Sequence, residues 1–500
     1  MKKATAVAAA AVLIVGGYVG ATAYTGQRVA RAYGEQMAKM EKAYNFLHVV
    51  QHQADKGLFS STYTTRVRMG CLPVGAAGDP QGAPKPLVIG FRDHVRHGPF
   101  PGLSSFGAAQ IDSELILPDD APQLLRQYLA TMKPEDIRTV VGYGGGFRSA
   151  VRLPAGEFSH DGTRIDWAEL RMNASGQIEA GNVRYEAVWP QLQIRRTARD
   201  KEGQGAAVGD GARLVNLRMA GSAEGGGTSV WLRPSQGTMD VERIELRFTR
   251  AGGKVGTAQV DKLVYATELG IDKELLDAKA RIAGNLSVKL AEDAAPFELK
   301  DIEFQESVKR LHAPTLQKFL DAALAQAGTC GAPAPAKAGL PAAPPGADTE
   351  AVAVGEEGGG SGEAGDDMVG RVMAMLGDLL SHEPELSVDK LALSYAGQRG
   401  QMSYALSLPR ATPDELIGMR ALQQKLRLRA RLQVPSGWID KVAAAGADPK
   451  GAQARLMQAR SLLDTGLAQG WVLREGEQLV SELQMDGGTL AVNGKPLKLR

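Results

Sequence analysis

The sequence predicts an α+β fold that is predominantly antiparallel β: long amphipathic sheets with a few covering helices behind an N-terminal membrane anchor. Three observations predict it. Short runs alternate apolar and polar residues along most of the chain, the period of strands buried on one face and wet on the other. Sixty glycines punctuate those runs, as turns between strands require. Helical periodicity appears in only a few segments.

The anchor comes first. After Lys2 and Lys3 no charge occurs until Arg28, and roughly 20 residues of that run, at about 1.5 Å each, would cross a hydrocarbon core about 30 Å thick. Residues 1–27 are therefore expected to form an uncleaved signal anchor, with the body outside the cytoplasm. The tripeptide Ala21-Thr22-Ala23 offers the alternative of signal-peptidase cleavage at Ala23. Lys2 and Lys3 are nearly matched by Arg28 and Arg31, so orientation rests on export and not on flanking charge. A helix is expected to leave the membrane from about Arg28 to Val50.

Residues 28–327 read as a β-rich domain. Tyr63, Thr65, Val67 and Met69 alternate with polar neighbours, as do Ile111, Ser113, Leu115 and Leu117. A helix is expected over Ala121 to Met132. Another is expected after His312, with Leu316, Phe319, Leu320, Ala323 and Leu324 on one face and an end at Gly328. Residues 328–367, "GTCGAPAPAKAGLPAAPPGADTEAVAVGEEGGGSGEAGDD", are Pro, Gly and Ala with no apolar period and read as a disordered linker.

Residues 368–500 then read as a C-terminal α+β domain. Its first helix carries Val369, Val372, Met373, Leu376 and Leu380 on one stripe and stops before Pro384. Met402, Tyr404, Leu406 and Leu408 mark a strand. In "QQKLRLRARLQVP" the apolar Leu426, Leu428, Ala430, Leu432 and Val434 alternate with Arg427, Arg429 and Arg431, which read as the solvated face of a strand and not as a phosphate patch. "DPKGAQARLMQARSLLDTGLAQG" reads as a helix, and Asn493-Gly494 as a tight hairpin turn.

Composition narrows function. Formal net charge is +2 and aromatic content 5%, which argues against a nucleic-acid partner. Two cysteines, Cys71 and Cys330, either bridge in an oxidising compartment or stand as unrelated thiols.

"RDHVRHGPFPGL", from Arg92 to Leu103, is the densest group of chemistry-bearing residues. If extended, Asp93, Val95 and His97 share a face with Leu87, Ile89 and Phe91, while Arg92, His94 and Arg96 take the other. His94 and His97 then point apart and cannot chelate one ion. Gly98-Pro99 ends the strand and Pro101-Gly102 turns the chain, with Asp93 and His97 expected in buried hydrogen bonds. "GYGGGF", Gly142 to Phe147, lacks the third glycine and following helix of a dinucleotide site and reads as a turn or a glycine-tolerant strand. His48 and His52 would share a helical face, with Glu41 or Asp55 as loose third ligands. No catalytic, cofactor or metal set is assigned.

Several of these segments together, "AYTGQRVARAY", "DKGLFSSTYTTRVRM", "FRDHVRHGPFPGLSSFGAAQIDSELILP", "PELSVDKLALSYAGQRGQMSYALSLP" and "GTLAVNGKPLKL", resemble the YdgA-like family of bacterial inner-membrane proteins. The resemblance spans most of the chain, and the central motif with Asp93, His94, His97, Gly98, Pro99 and Gly102 is its most specific part. It implies a single-pass inner-membrane protein with its body in the periplasm and no assigned activity. The Pro/Gly/Ala linker looks like an insertion. A looser architectural similarity is to the AsmA-like envelope proteins, whose long sheets form apolar grooves for lipid.

Three functions compete on these grounds. The first is a non-enzymatic envelope protein that binds another envelope component or itself as a homo-oligomer. The second is a lipid or amphiphile carrier with an apolar groove. The third is a periplasmic hydrolase pairing Asp93, His94 or His97 with Asp112 or Glu114, which share a face of a neighbouring strand.

Overall fold

The computed structural model describes residues 18–35, 37–38, 47–71, 86–103, 106–118, 121, 126–127, 129–160, 162–199, 206–225, 231–250, 254–291, 295–328, 377–409, 424–444 and 449–497. Residues 18–35 form helix α1. Among the described residues no helix is long and apolar enough to cross a membrane. Residues 1–17, which hold most of the apolar run, lie outside them.

Strands follow in chain order: β1 (Leu47–Lys56), β2 (Ser60–Cys71), β3 (Pro86–His97), β4 (Ala109–Ile116), β5 (Ile137–Val141) and β6 (Gly146–Leu153). Three short ones are β7 (Gly156–His160), β8 (Thr163–Trp167) and β9 (Leu170–Gln177). Six long ones are β10 (Asn182–Arg199), β11 (Ala206–Ala223), β12 (Ser235–Thr249), β13 (Val255–Asp272), β14 (Leu275–Lys289) and β15 (Phe297–His312). Helix α2 (Ala313–Gly328) closes this part. The remainder comprises β16 (Glu385–Tyr395), β17 (Gln398–Ser407), β18 (Arg427–Pro435), α3 (Gly437–Ala444) and α4 (Pro449–Gln469). It ends with β19 (Leu473–Glu475), β20 (Gln478–Asp486), β21 (Thr489–Val492) and β22 (Lys495–Leu497).

The expected predominance of antiparallel β-structure is borne out: every pairing is antiparallel and all strands belong to one sheet. Most strands pair with their chain neighbours. One departure is β10, whose 18 residues accept β9 along Asn182–Val188 and β8 along Leu192–Arg196, with β9 reaching back to β6; another is β18, which pairs with β20. The segment between α2 and β16 does not interrupt the sheet, because β15 pairs directly with β16, Val308 opposite Leu386. The expected strand ends match at Asn493-Gly494, whose φ values of 47° and 75° fit the tight turn between β21 and β22.

One expected helix is overturned. The segment expected to be helical to Val50 enters β1 at Leu47, where pairing with β2 along "LHVVQHQ" prevails over local helical spacing. His48 and His52 consequently lie on a strand, separated by a register shift between Val49 and Gln51. Glu41, residues 122–125 and 128 of the helix expected at Ala121 to Met132, Val369, Val372, Met373, Leu376 and Cys330 lie outside the described residues. So does the side chain of Cys71, which leaves the Cys71–Cys330 pairing untouched.

The long strands share a deliberate irregularity. Asn216, Lys262 and Asp301 have φ of 50°, 53° and 50° inside β11, β13 and β15, at one level of the sheet. Left-handed backbone costs a non-glycine residue about 1–2 kcal/mol, so each must be held by its surroundings. Asn216 donates to Glu242 on β12, and Asp301 N donates to Asn285 Oδ1 at 3.0 Å. The effect is a change of phase in the pleat, as at a bulge. In β12 the apolar residues fall at Met239 and Val241, then at Ile244, Leu246 and Phe248, with exposed Glu242 and Arg243 side by side between them.

Candidate functional site

The central motif is assembled beneath α1. Asp93 and His97 face the helix from β3, and both are buried. The Tyr33 hydroxyl donates to Asp93 Oδ2 at 2.5 Å, and the Tyr33 ring stacks on Tyr63 of β2 with centroids 4.3 Å apart. Burial and the adjacent Asp93 charge push the Tyr33 hydroxyl well above the usual tyrosine range, so it stays a donor. His97 Nε2 lies 2.9 Å from Ser61 Oγ, and burial lowers the imidazole pKa so that the ring is neutral. Tyr63, Val95 and Ala109 form the core around these groups, joined by Val29 and Tyr33 of the helix.

Close backbone approach lets α1 sit this low. A Cβ on Gly98 would meet Thr22 Oγ1 at 2.6 Å, and Gly98 has φ of 110°. Thr22 and Thr25 are buried and spend their hydroxyls on Tyr18 O and Ala21 O within the helix. Gly102, also left-handed, lets the Arg96 guanidinium lie across it.

The opposite face of the same strands carries fixed ion pairs. His94 sits opposite Asp112 in register, the juxtaposition a hydrolase would need. Asp112, however, is engaged by Arg138 at 2.6 Å, Arg96 at 3.0 Å and Gln110 at 3.2 Å. Glu114 pairs with Arg92 at 2.9 Å. Both carboxylates are thus taken up by guanidinium partners. Asp93 and His97 lie across the sheet from them.

A third arrangement spans the sheet. Register places Ile137, Val151, Met172, Ala187, Met219 and Met239 opposite one another on β5, β6, β9, β10, β11 and β12. The row continues through Tyr265, Ile282, Phe304, Leu391, Met402 and Leu432 on β13 to β18. Strands lie about 4.8 Å apart, so this uncharged row over twelve strands runs for roughly 50 Å. Met172, Met219, Tyr265, Ile282 and Leu432 remain 37–42% exposed. The neighbouring positions point to the other face and bear its ion pairs, such as Arg281 with Glu303 and Arg431 with Glu482.

A family model described as "Bacterial protein of unknown function (DUF945)" matches residues 1–500. The chain belongs to that family. No curated protein and no solved structure matches it.

In this DUF945 chain an aromatic rim stands at the β5–β6 turn, the end of β5 away from Ile137. Phe100 and Phe106 have ring centroids 5.5 Å apart, and Phe106 and Tyr143 5.6 Å, all three exposed. Tyr143 belongs to "GYGGGF", which is the tight β5–β6 turn, Gly145 N donating to Gly142 O at 3.1 Å. The Tyr18 hydroxyl, at the start of α1, lies 3.5 Å from Phe100 O. Phe106, Phe147, Val183 and Ala223 line a cavity of about 1070 Å³ at this end of the sheet. Arg427, Arg429 and Arg431 of β18 are exposed, the first and third paired with Asp486 and Glu482.

Sequence reasoning missed two parts of this picture in the DUF945 chain. Tyr33 carries no local signal for Asp93, which lies 60 residues away. The apolar row was visible only strand by strand, since register between strands cannot be read from alternation alone.

Proposed function

We propose that this protein is a non-enzymatic component of the bacterial cell envelope that holds an amphiphile on the apolar face of its sheet. Residues 1–27 would tether it to the inner membrane, with the body in the periplasm. The observation that carries the reading is the half-exposed apolar row from Ile137 to Leu432. Soluble proteins seldom leave so extended an apolar surface without a use, and the row is longer than a single acyl chain.

Three further features support the tether and the orientation. The YdgA-like resemblance implies an inner-membrane protein. The apolar residues 4–17 run directly into α1, whose first turn lies against Phe100. The exposed aromatic rim of Phe100, Phe106 and Tyr143 is then at the membrane side, where aromatic residues favour the interface. The cavity beside Phe106 would open the apolar face toward the bilayer.

Native mass spectrometry of the detergent-extracted full chain tests the reading. A reproducible lipid-sized adduct, absent from a chain with Tyr265→Glu and Ile282→Lys, is the expected result. A ligand-free species would overturn the amphiphile reading and return the sheet to a scaffold role; the same spectrum reports whether the chain is a homo-oligomer.

A further inference from the structure

Where the chain leaves β15 and where it re-enters the sheet at β16, two imidazoles and a carboxylate meet. His312 is the last residue of β15, Asp378 belongs to the helical turn of residues 377–380, and His382 lies in the link to β16. One donor atom from each lies within 4.8 Å of the other two. His312 Nδ1 and Asp378 Oδ2 are 3.4 Å apart. Two ligands each about 2.1 Å from a tetrahedral zinc ion stand roughly 3.4 Å from each other, so this pair already spans one edge of such a site.

The surroundings orient the same atoms. His312 Nε2 faces Glu274 Oε2 at 3.5 Å and Nδ1 lies 2.8 Å from Thr315 Oγ1, a hydrogen bond that a cation on Nδ1 would replace once the ring proton sits on Nε2. Thr315 Oγ1 donates to Asp378 Oδ2, which fixes that carboxylate beside the imidazole. The His382 ring stacks on His312 with centroids 4.3 Å apart, and one of its nitrogens lies within 4.8 Å of the other two donors. The His312 side chain is largely buried while Asp378 is half exposed, which shelters the site yet leaves a path for an ion.

We propose that His312, Asp378 and His382 form a binding site for a divalent transition cation of the zinc class. Two nitrogen donors and a single carboxylate suit zinc, nickel or copper; calcium and magnesium require shells built mainly from oxygen. The bound ion joins the end of β15 to the start of the segment that returns to β16. This site is independent of the amphiphile reading and uses none of its residues.

Calorimetric titration of the full chain with Zn²⁺ at neutral pH, after stripping with a chelator, tests it. One site is expected, weakened about tenfold or more by His382→Ala and by Asp378→Asn, and retained in a His48→Ala, His52→Ala chain. Thermal unfolding read in parallel keeps the result clear of folding defects: zinc should raise the midpoint of the native chain by more than those of the two site variants. Co²⁺ should give the intense visible bands of tetrahedral coordination. Absence of zinc binding by the native chain, or equal affinity in all variants, overturns the proposal.

Discussion

Tyr33 on the first helix donates its hydroxyl to Asp93 on the third strand, 60 residues away, and does so inside a closed, aromatic-walled contact. The pair joins the helix that follows the apolar N-terminal run to the β-body. Tyr33→Phe leaves a buried carboxylate without that donor and should cost about 1–3 kcal/mol. Asp93→Asn, which keeps an acceptor for the hydroxyl, should cost less. Urea unfolding of both variants measures the difference; an unchanged midpoint for Tyr33→Phe would show that the bond adds nothing.

Gly98 meets the same helix through its missing side chain. With φ of 110° and Thr22 Oγ1 at 2.6 Å from the position of a Cβ, Gly98→Ala should destabilise by more than about 1 kcal/mol. Adding Thr22→Gly should recover the steric part and leave the backbone part. Thermal midpoints of the single and double variants separate the two.

Acid should weaken this contact through His97. Its folded pKa is lowered by burial from 6.5, so as pH falls below that value the unfolded chain takes up a proton that the folded chain refuses. The unfolded state then binds more protons, and stability declines with falling pH until the folded pKa is passed. His97→Gln, which can still reach Ser61, should flatten the slope of stability against pH in that window. A slope unaffected by the substitution would assign it to another group.

Lys262 holds a left-handed conformation that glycine adopts freely. Lys262→Gly should be neutral or stabilising by up to about 1 kcal/mol, whereas Lys262→Val should destabilise by more, because a β-branched side chain resists φ near 53°. Equal stabilities for the two would remove the pleat shift as a constrained feature.

The two faces of the sheet should respond differently to charge. Ile282→Lys places an ammonium in the apolar row, and bound amphiphile should fall sharply while the unfolding midpoint moves little, since Ile282 is 37% exposed. Arg281→Ser on the ion-paired face should leave amphiphile binding unchanged; its bridge to Glu303 is exposed and worth little. Binding of a fluorescent fatty acid by each variant reads the contrast.

The sequence carried more of the fold than of the site. Alternation at Tyr63–Met69 and Met402–Leu408 placed strands correctly, because an amphipathic strand writes its period locally. The phase change in β12 was also written there, between Val241 and Ile244, as a break in that period. The partners of Asp93 and His312 were not, because both contacts join segments more than fifty residues apart. Length of separation, not weakness of interaction, hid Tyr33 from Asp93 and Asp378 from His312.

Because nearly every strand lies beside the one before it, the sheet can be completed in the order in which the chain is made. Each new hairpin adds to a finished edge, and few contacts wait for distant sequence, the condition for rapid assembly. The pairings of β15 with β16 and of β18 with β20 are the longest waits. Until residues 313–384 have been delivered, β15 presents an open row of backbone donors and acceptors to whatever is nearby. Helix α2, which follows β15 at once and adds its Ala313, Leu316 and Leu320 to a cluster with Leu232 and Leu276, is available to shield that neighbourhood during the delay.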